Sequence, residues 1–449
     1  MDWSLREPLM RQGSARAGHR LRALMLAVAF VWLFVLLVFR LGAEISTSLV
    51  TADTSGILIL GAGGAAWMNG TSAFKSNGTL TWACFLNDQA LALVDEDIGA
   101  VWKWHPERSS SQAHAALLST LRRPVQCTQR GDFLFVACFG EEEEPGRSGI
   151  ALIHVASWTV WRELTLGSTH VHHTYPLDDG VALYTDVGDP WVTPPVLGGL
   201  YVVSLDTPDH DQLPCRVGPP MHARAATLSP PAVNTAGNAT VGVVGSRSGG
   251  SLDSGRYVSI ITQEPFGEAT YIVTLESSFG RWDSKGGFGA KVGAGACTRE
   301  TLNATMVSRI SLPAPPLPGD GGADIFVIGD RMFASDRYGG NGRLYELRWL
   351  STSGNADGRD GGLAIVGSVA LGLHPRYTDP LEKTHTSTLR REKNAKGGVK
   401  EEENAEESSF IYSVSRDDGL LTIIDARTLA TVAQQPSHLP KPCFAVRWR

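Results

Sequence analysis

After residue 50 the sequence repeats one pattern: a short strand rich in β-branched and aromatic residues, a Gly-rich turn, and a second strand of the same kind. Four such pairs read FLFVACFG with GIALIHVA, ALYTDVGD with GGLYVVSLD, FASDRYGGN with GRLYELRWL, and IYSVSRDD with GLLTIIDA. Short apolar runs bounded by Gly, Asp and Asn are typical of antiparallel strands, and the same region shows no helical period. The pattern predicts an all-β domain of many short strands.

The spacing of the pairs distinguishes among the all-β architectures. Counting a fifth unit that begins near residue 255, the units start near residues 132, 180, 255, 330 and 410, which are 48 to 80 residues apart, whereas a four-stranded propeller blade needs about 40–50 residues. The stretch 55–104 has room for one more blade, and Cys443–Trp448 could supply the strand that closes the ring. We therefore predict a β-propeller over residues 50–449, with seven blades as the first choice and six as the alternative.

Insertions account for the longer intervals. The stretches 245–255, 313–322 and 351–362 are rich in Gly, Ser, Asp or Pro and have the composition of loops. Residues 382–407 form a charged run with almost no large apolar side chain. We predict that this run is a disordered insertion between two strands.

The amino-terminal region carries one uninterrupted apolar segment, Ala23–Phe39, bracketed by Arg22 and Arg40. Its length is at the short end of what crosses a bilayer, which predicts a basic cytoplasmic leader over 1–22 and a transmembrane signal anchor over 23–42. The alternative is a cleaved signal peptide. Because arginines precede the segment, the positive-inside rule predicts a type II membrane protein whose large domain is lumenal or extracellular.

Two further features agree with that topology. All glycosylation sequons and all six cysteines follow the apolar segment, as expected for a domain in an oxidising compartment. The pairing of the cysteines is left open, and none has the CxxC spacing of a metal site. The sequon asparagines are Asn69, Asn77, Asn238 and Asn303.

Composition argues against several classes of partner. The net charge is −6, with acidic and basic residues mixed along the chain, so we expect no nucleic-acid partner. The glycine-rich stretch 61–66 resembles a dinucleotide fingerprint, but it lacks the following helix that a βαβ unit requires. We expect no cofactor and no metal, and the sequence does not specify an oligomeric state.

Polar residues stand at strand ends where a plain propeller would not need them. His170 and His172 alternate onto one side of the extended segment STHVHHTY, and Asp186 ends the next strand. The structural alternatives are a histidine satisfied by hydrogen bonds and aspartates that cap turns. The other candidates, each at or beside a strand end or turn, are Arg224, Glu264, Arg337 and Arg376.

These motifs resemble, in collinear order over roughly 120–449, those of the lactonase family, which includes 6-phosphogluconolactonase and carboxymuconate cyclase types. The similar motifs are His170-Val-His172 with Asp186-Val-Gly-Asp189, Met221-His-Ala-Arg224, Gln263-Glu264, Ser335-Asp-Arg337, Gly372-Leu-His-Pro-Arg376-Tyr377 and Pro440-Lys-Pro442-Cys443.

The resemblance implies a seven-bladed propeller that hydrolyses a small anionic sugar lactone. It places Glu264, His172, Arg337 and Arg224 in catalysis, with Glu264 or His172 as general base. Arg337 and Arg376 would hold the anionic group, and Arg224 would polarise the lactone carbonyl.

The same resemblance assigns His170, Arg376 and Asp186 to substrate binding. Two alternatives remain at this point. One is a non-catalytic propeller that binds proteins or glycans, since a fold does not by itself decide function. The other is a muconolactone-type cyclase. An enzyme should gather the candidate residues around one end of the propeller channel, whereas a binding module would scatter them.

Overall fold

In a computed structural model of the protein, all described residues lie within the unit Asp53–Arg449. The predicted leader, the predicted anchor, the insertion 382–407, Glu264, Asn238 and Asn303 lie outside the described part of the chain. The structure describes residues 56–86, 90–108, 112–141, 144, 147–178, 181–190, 192–204, 214–228, 257–262, 270–277, 304–313, 322–328, 331–337, 342–350, 362–373, 375–379 and 410–448.

The described residues form strands and contain no α-helix, and so none of them belongs to a helix long and apolar enough to span a membrane. The strands are β1 (Ile57–Trp67), β2 (Ser72–Phe85), β3 (Leu91–Asp95), β4 (Ala100–Trp104), β5 (His114–Leu117), β6 (Pro124–Arg130), β7 (Phe133–Cys138), β8 (Gly149–His154), β9 (Thr159–Thr165), β10 (Val171–Asp178), β11 (Val181–Asp189), β12 (Val196–Ser204), β13 (Cys215–Met221), β14 (Ala223–Leu228), β15 (Tyr257–Thr262), β16 (Tyr271–Ser277), β17 (Ala304–Ser311), β18 (Gly322–Ile328), β19 (Arg331–Asp336), β20 (Gly342–Leu350), β21 (Gly362–Gly372), β22 (Pro375–Asp379), β23 (Phe410–Ser415), β24 (Leu420–Asp425), β25 (Thr431–Pro436) and β26 (Pro442–Arg447).

Within the described chain the strands assemble into six antiparallel sheets, which confirms the prediction of an all-β propeller. Five sheets have four consecutive strands: β6–β9, β10–β13, β14–β17, β18–β21 and β22–β25. The sixth has the order β26-β1-β2-β3-β4-β5. The blade count is therefore six, the alternative in the prediction, rather than the preferred seven.

The long strand β2 explains the difference in count. Residues Ser72–Thr79 of β2 pair with β1, and Leu80–Phe85 pair with β3. The closing strand β26 pairs with the first half of β1, from Ile57 to Gly61. The first blade and the ring closure therefore merge into one sheet, which the regular spacing of the repeats does not reveal.

The first strand of each four-stranded sheet is its inner strand, and the inner strands surround a central channel. Contacts run in the sequence β2, β6, β10, β14, β18, β22, β26 and back to β2. The apolar core lies between neighbouring sheets, as where Phe135 and Leu152 of one sheet cluster with Val171 and Tyr184 of the next. Side chains alternate between the two faces of each strand, so apolar residues at alternate positions give a sheet an apolar face. Packing these faces against each other removes a large apolar area from water.

Each inner strand has a β-bulge close to where one of its ladders to a neighbouring strand begins. The ladder to the neighbouring strand skips one residue there, or two in β18. Such bulges re-aim the local backbone and often lie beside functional sites. The skipped residues are Thr81 in β2, Val125 in β6, His172 in β10, Arg224 in β14, Ala323 and Asp324 in β18, Arg376 in β22 and Cys443 in β26.

The cysteines in the described ranges are either disulfide-bonded or buried as thiols. Cys84 of β2 and Cys127 of β6 form a disulfide, with 6.1 Å between their Cα atoms, and so link two neighbouring inner strands. Cys215 is also disulfide-bonded. Cys138 and Cys443 are buried thiols. Burial, with a further contribution from the charge of Glu163, raises the pKa of Cys138 far above its usual range.

Candidate functional site

The bulges lie at the end of the channel where the inner strands begin. We call this end of the channel the start end. Residues at the start end include Arg123, His170, His222 and Arg337. Because each four-stranded antiparallel sheet returns the chain to the side from which it started, every inner strand begins at this same end. The start end is therefore where the connections that precede the inner strands meet.

Sequence-predicted site residues lie at this end in equivalent backbone positions. His172, Arg224 and Arg376 are the bulged residues of β10, β14 and β22. The side chain of Arg376 lies outside the described part. Arg337 directly follows β19, whose last residue, Asp336, pairs with the first residue of β18, so Arg337 is also at the start end.

His170 is held by packing and hydrogen bonds. Its ring stacks on Phe139, with 4.2 Å between centroids and 6° between planes. Nδ1–H donates to the Phe139 carbonyl oxygen at 3.1 Å, and the Arg123 guanidinium lies 5.0 Å from the centroid of the same Phe139 ring. The histidine joins the sheet β6–β9 to the start of β10.

Asp186 caps the turn that leads into β10. Its carboxylate accepts the backbone N–H groups of Thr169 at 3.2 Å, His170 at 2.9 Å and Gly188 at 2.9 Å. Backbone N–H donors of this kind satisfy a buried carboxylate. These contacts match the turn-capping alternative, and they fix the backbone immediately before His172.

His173 is the central residue that the sequence interpretation missed. Its Nδ1 is 2.7 Å from Nδ1 of His172 and 3.1 Å from the Arg224 carbonyl oxygen, and its Nε2 is 3.6 Å from Oδ1 of Asp324. The ring also meets Trp82 edge-on at 5.6 Å between centroids. His173 thus touches residues of β2, β14 and β18, and it lies across the channel.

The environment keeps His173 neutral. Burial, with a smaller contribution from the positive charge of Arg224, lowers the pKa of His173 to about 3. The side chains of His173 and Asp324 are each only 5% exposed. A neutral imidazole carries one proton, so the partner of each ring nitrogen decides which nitrogen holds it.

The bulge explains why His173 was not predicted. Simple alternation puts His172 and His173 on opposite faces of a strand. The bulge at His172 breaks that alternation, and the two rings stack at 4.7 Å with their Nδ1 atoms in contact. The signal available in the sequence was the second histidine of His172-His173 itself.

Arg224 and Arg337 bring positive charge to the start end while remaining 4% and 5% exposed. The carbonyl oxygen of Arg224 also accepts from Thr185 Oγ1 at 2.7 Å, which anchors β14 to β11. His222 Nδ1–H donates to the Val187 carbonyl oxygen at 2.8 Å and fixes the chain just before β14. Buried guanidinium groups favour planar anionic partners such as carboxylate or phosphate.

A cavity of about 340 Å³, called the channel cavity below, lies on the other side of His173. Trp82, Phe85, Tyr175 and Phe326 contribute aromatic walls, and none of the sequence-predicted site residues lines it. His173 and Asp324 do line it, so these two residues separate the channel cavity from the start end. Over the described ranges no cluster of three or more His, Cys, Asp or Glu is arranged to hold a metal ion.

The fold and this site define an all-β propeller with a channel whose start end is rich in histidine and arginine. No protein-family model matches the chain, and no curated protein is significantly similar in sequence.

Solved structures share the fold. The periplasmic gluconolactonase PpgL of Pseudomonas aeruginosa matches with a TM-score of 0.52 and 13% identity, covering 87% of this chain and 97% of that one. A candidate 6-phosphogluconolactonase of Bacteroides fragilis matches with a TM-score of 0.49 and 13% identity, over 88% and 98% of the two chains. The hydrazine synthase of Kuenenia stuttgartiensis matches with a TM-score of 0.47 and 13% identity, covering 85% of this chain and 98% of that one. At such an identity the first similarity shows the propeller fold alone, and the activity must be argued from the site.

Proposed function

We propose that the protein is a lactone hydrolase whose active site is the start end of the propeller channel. The observation that carries the proposal is the equivalent placement of His172, Arg224 and Arg376, the bulged residues of three inner strands. Arg337 and His170 belong to the same end. The shared location of these backbone positions at one channel end supports an enzyme rather than a binding module.

The chemistry follows from these residue types. His172 takes a proton from water, and the water oxygen attacks the lactone carbonyl. Arg224 or Arg337 stabilises the oxyanion of the tetrahedral intermediate. The ring C–O bond then breaks, and the leaving oxygen receives the proton from His172 to give a hydroxy acid. Glu264, two residues after the end of β15, remains the alternative base.

The arginines favour a substrate that carries a negative charge or generates one. We propose a gluconolactone-type sugar lactone, whose ring opening creates a carboxylate that Arg337 and Arg376 can hold. In this proposal Asp186 fixes the turn before His172, and His170 lines one side of the site.

We further propose the type II topology with a lumenal or extracellular propeller. The disulfide between Cys84 and Cys127 supports an oxidising compartment. Asn69 and Asn77 are exposed, as glycan acceptors must be. Protease treatment of intact vesicles should spare the propeller, and a glycosidase should increase its mobility on a gel. Digestion of the propeller in intact vesicles would contradict this topology.

Turnover by the full chain, purified in detergent, tests the activity. Gluconolactone and its 6-phosphorylated form are supplied in a pH-stat, and acid release is compared with the spontaneous rate. We expect turnover above background that is lost in Arg337→Ala and kept in Asp425→Asn, a carboxylate that caps a surface turn. A folded protein without turnover on any lactone would contradict the proposal, and a product other than the open hydroxy acid would favour the cyclase.

A second candidate function is ligand binding without catalysis. It is favoured by the burial of His172, Arg224 and Arg337, which are 3–5% exposed, and by the position of the channel cavity on the other side of His173. Failure of lactone turnover together with binding of a glycan or protein in the same preparation would establish it.

A further inference from the structure

The channel cavity has the size and the lining of a site for a small molecule. Its volume of about 340 Å³ falls within the range of about 300–1,000 Å³ that such sites have. It is partly open to solvent, and residues of β2, β6, β10, β14 and β18 line it. Because the lining comes from several inner strands, the sheets of the propeller hold it in place.

Aromatic rings form much of the wall, and further rings hold them in position. Trp82 stacks on Phe444 with 4.5 Å between centroids, and Phe326 stacks on Phe333 with 5.7 Å between centroids. Rings that are already packed in this way lose little conformational freedom when a ligand binds between them. The four wall rings are those of Trp82, Phe85, Tyr175 and Phe326.

Two polar side chains of the lining are already engaged in hydrogen bonds within the protein. Gln126 accepts from Thr174 N–H at 3.0 Å and donates to Thr128 Oγ1 at 2.8 Å. The hydroxyl oxygen of Tyr175 accepts from Ala226 N–H at 3.0 Å. A ligand with several N–H groups would give up hydrogen bonds to water and find few acceptors in the cavity, which costs binding free energy.

The charge of the lining is negative. Among the described lining residues Asp324 is the one acidic residue, and none is a lysine or an arginine. His173, whose Nε2 lies 3.6 Å from Oδ1 of Asp324, adds no positive charge at pH 7, because burial and the nearby charge of Arg224 lower its pKa to about 3. Oδ1 of Asp324 is itself buried, so its charge acts through a low-dielectric wall in which it is weakly screened.

We propose that the channel cavity binds a quaternary ammonium compound. The faces of aromatic rings attract such a cation, and the carboxylate of Asp324 adds to that attraction. A quaternary nitrogen carries no N–H group, so it needs none of the acceptors that the lining lacks. The site is separate from the start end, and the proposal therefore does not depend on lactone hydrolysis.

Calorimetric titration of the full chain, purified in a maltoside detergent, tests the preference for a cation. The probes are choline and dimethylbutanol, the uncharged isostere in which a carbon atom replaces the choline nitrogen. We expect choline to bind about tenfold more tightly than dimethylbutanol, since both fill the same space and only choline carries the charge. Equal affinities for the two probes, or no binding of choline, would overturn the proposal.

Phe85→Leu places the site in the channel cavity, because it keeps an apolar side chain at the wall but removes one aromatic face. We expect the affinity for choline to fall by about fivefold and that for dimethylbutanol to stay the same. The matched control is Phe133→Leu, at a half-buried phenylalanine of β7 outside the cavity lining, which should bind choline as the wild type does. A choline affinity that is unchanged in Phe85→Leu, or lowered equally in both variants, would contradict this placement.

Asp324→Asn tests the contribution of the carboxylate. This variant should lose most of the preference for choline over dimethylbutanol, because it removes the negative charge and keeps the shape of the side chain. Asp425→Asn, at a carboxylate that caps a surface turn, is the control and should keep the full preference. An Asp324→Asn protein that is folded by thermal unfolding and retains the preference would overturn the role of Asp324. If this variant does not fold, the comparison of Phe85→Leu with Phe133→Leu decides.

Discussion

At the scale of single residues, the channel is organised by buried polar groups whose partners lie on other sheets. His173 contacts residues of three inner strands besides its own, and Asp186 accepts three backbone N–H groups at the turn before it. A buried polar group is stabilising only when its partners are in place. Changes at these residues should therefore affect stability as well as activity.

The lowered pKa of His173 predicts a loss of stability in mild acid. At pH 5 an unfolded histidine, with a pKa near 6.5, binds a proton that the folded His173, with a pKa of about 3, does not. The unfolded state then binds more protons, so the free energy of unfolding falls by about 2 kcal/mol between pH 7 and pH 5 through this group. The contribution is fully present above pH 6.5 and is lost as the pH falls toward 3.

Urea unfolding at pH 7 and pH 5 measures the effect. His173→Gln should show a pH dependence weaker by about 2 kcal/mol than that of the wild type. The matched control is His154→Gln near the surface, which should keep the wild-type difference. Equal pH dependence in His173→Gln and wild type would show that folded His173 titrates normally.

At the scale of strands, the hairpin repeats were predictable and the bulges were not. Apolar alternation and Gly-rich turns encode each strand pair, because burial and turn chemistry depend directly on side-chain type. The bulge is a backbone hydrogen-bonding pattern, and the residues that occupy it, among them Thr81, Val125, His172 and Arg224, share no chemistry. The sequence therefore indicated His172 and Arg224 as candidates but not the contact between His172 and His173.

The disulfide between Cys84 and Cys127 joins β2 to β6 and should stabilise the ring. The two cysteines are separated by 43 residues, and cross-linking a loop of that size typically contributes about 2–4 kcal/mol, mainly by restricting the unfolded chain. The double variant Cys84→Ala and Cys127→Ala should lose that amount in denaturant unfolding. Wild type unfolded under reducing conditions also loses the disulfide of Cys215, so it should be destabilised at least as much as the variant. An unchanged midpoint would show that the bond does not constrain the unfolded chain.

At the scale of the whole molecule, ring closure depends on a strand from the far end of the chain. β26 pairs with β1 from Ile57↔Arg447 to Gly61↔Pro442, and Phe444 stacks on Trp82 with 4.5 Å between centroids. The sequence predicted this closing strand from Cys443–Trp448. It did not predict that β2 would pair with β1 along its first half and with β3 along its second half. This pairing joins the first blade and the closing strand in one sheet.

Phe444→Ala should therefore weaken the whole propeller. Phe444 is 1% exposed, and truncating a buried phenylalanine costs about 3–5 kcal/mol. Phe444→Leu should cost less, since more of the cavity stays filled. Trp161→Ala, at a tryptophan that is 56% exposed, serves as the control. Thermal unfolding of the three variants measures their relative stabilities. A Phe444→Ala protein as stable as the Trp161→Ala control would contradict closure of the ring through β26.

The position of bound gluconate in a crystal of the full chain tests the central claim most directly, because gluconate is the product of the proposed reaction. We predict that its carboxylate lies at the start end, against the guanidinium of Arg224 or Arg337 and next to the ring of His172. Gluconate found instead in the channel cavity, between Trp82 and Tyr175, would contradict a hydrolytic site at the start end and would favour the binding function.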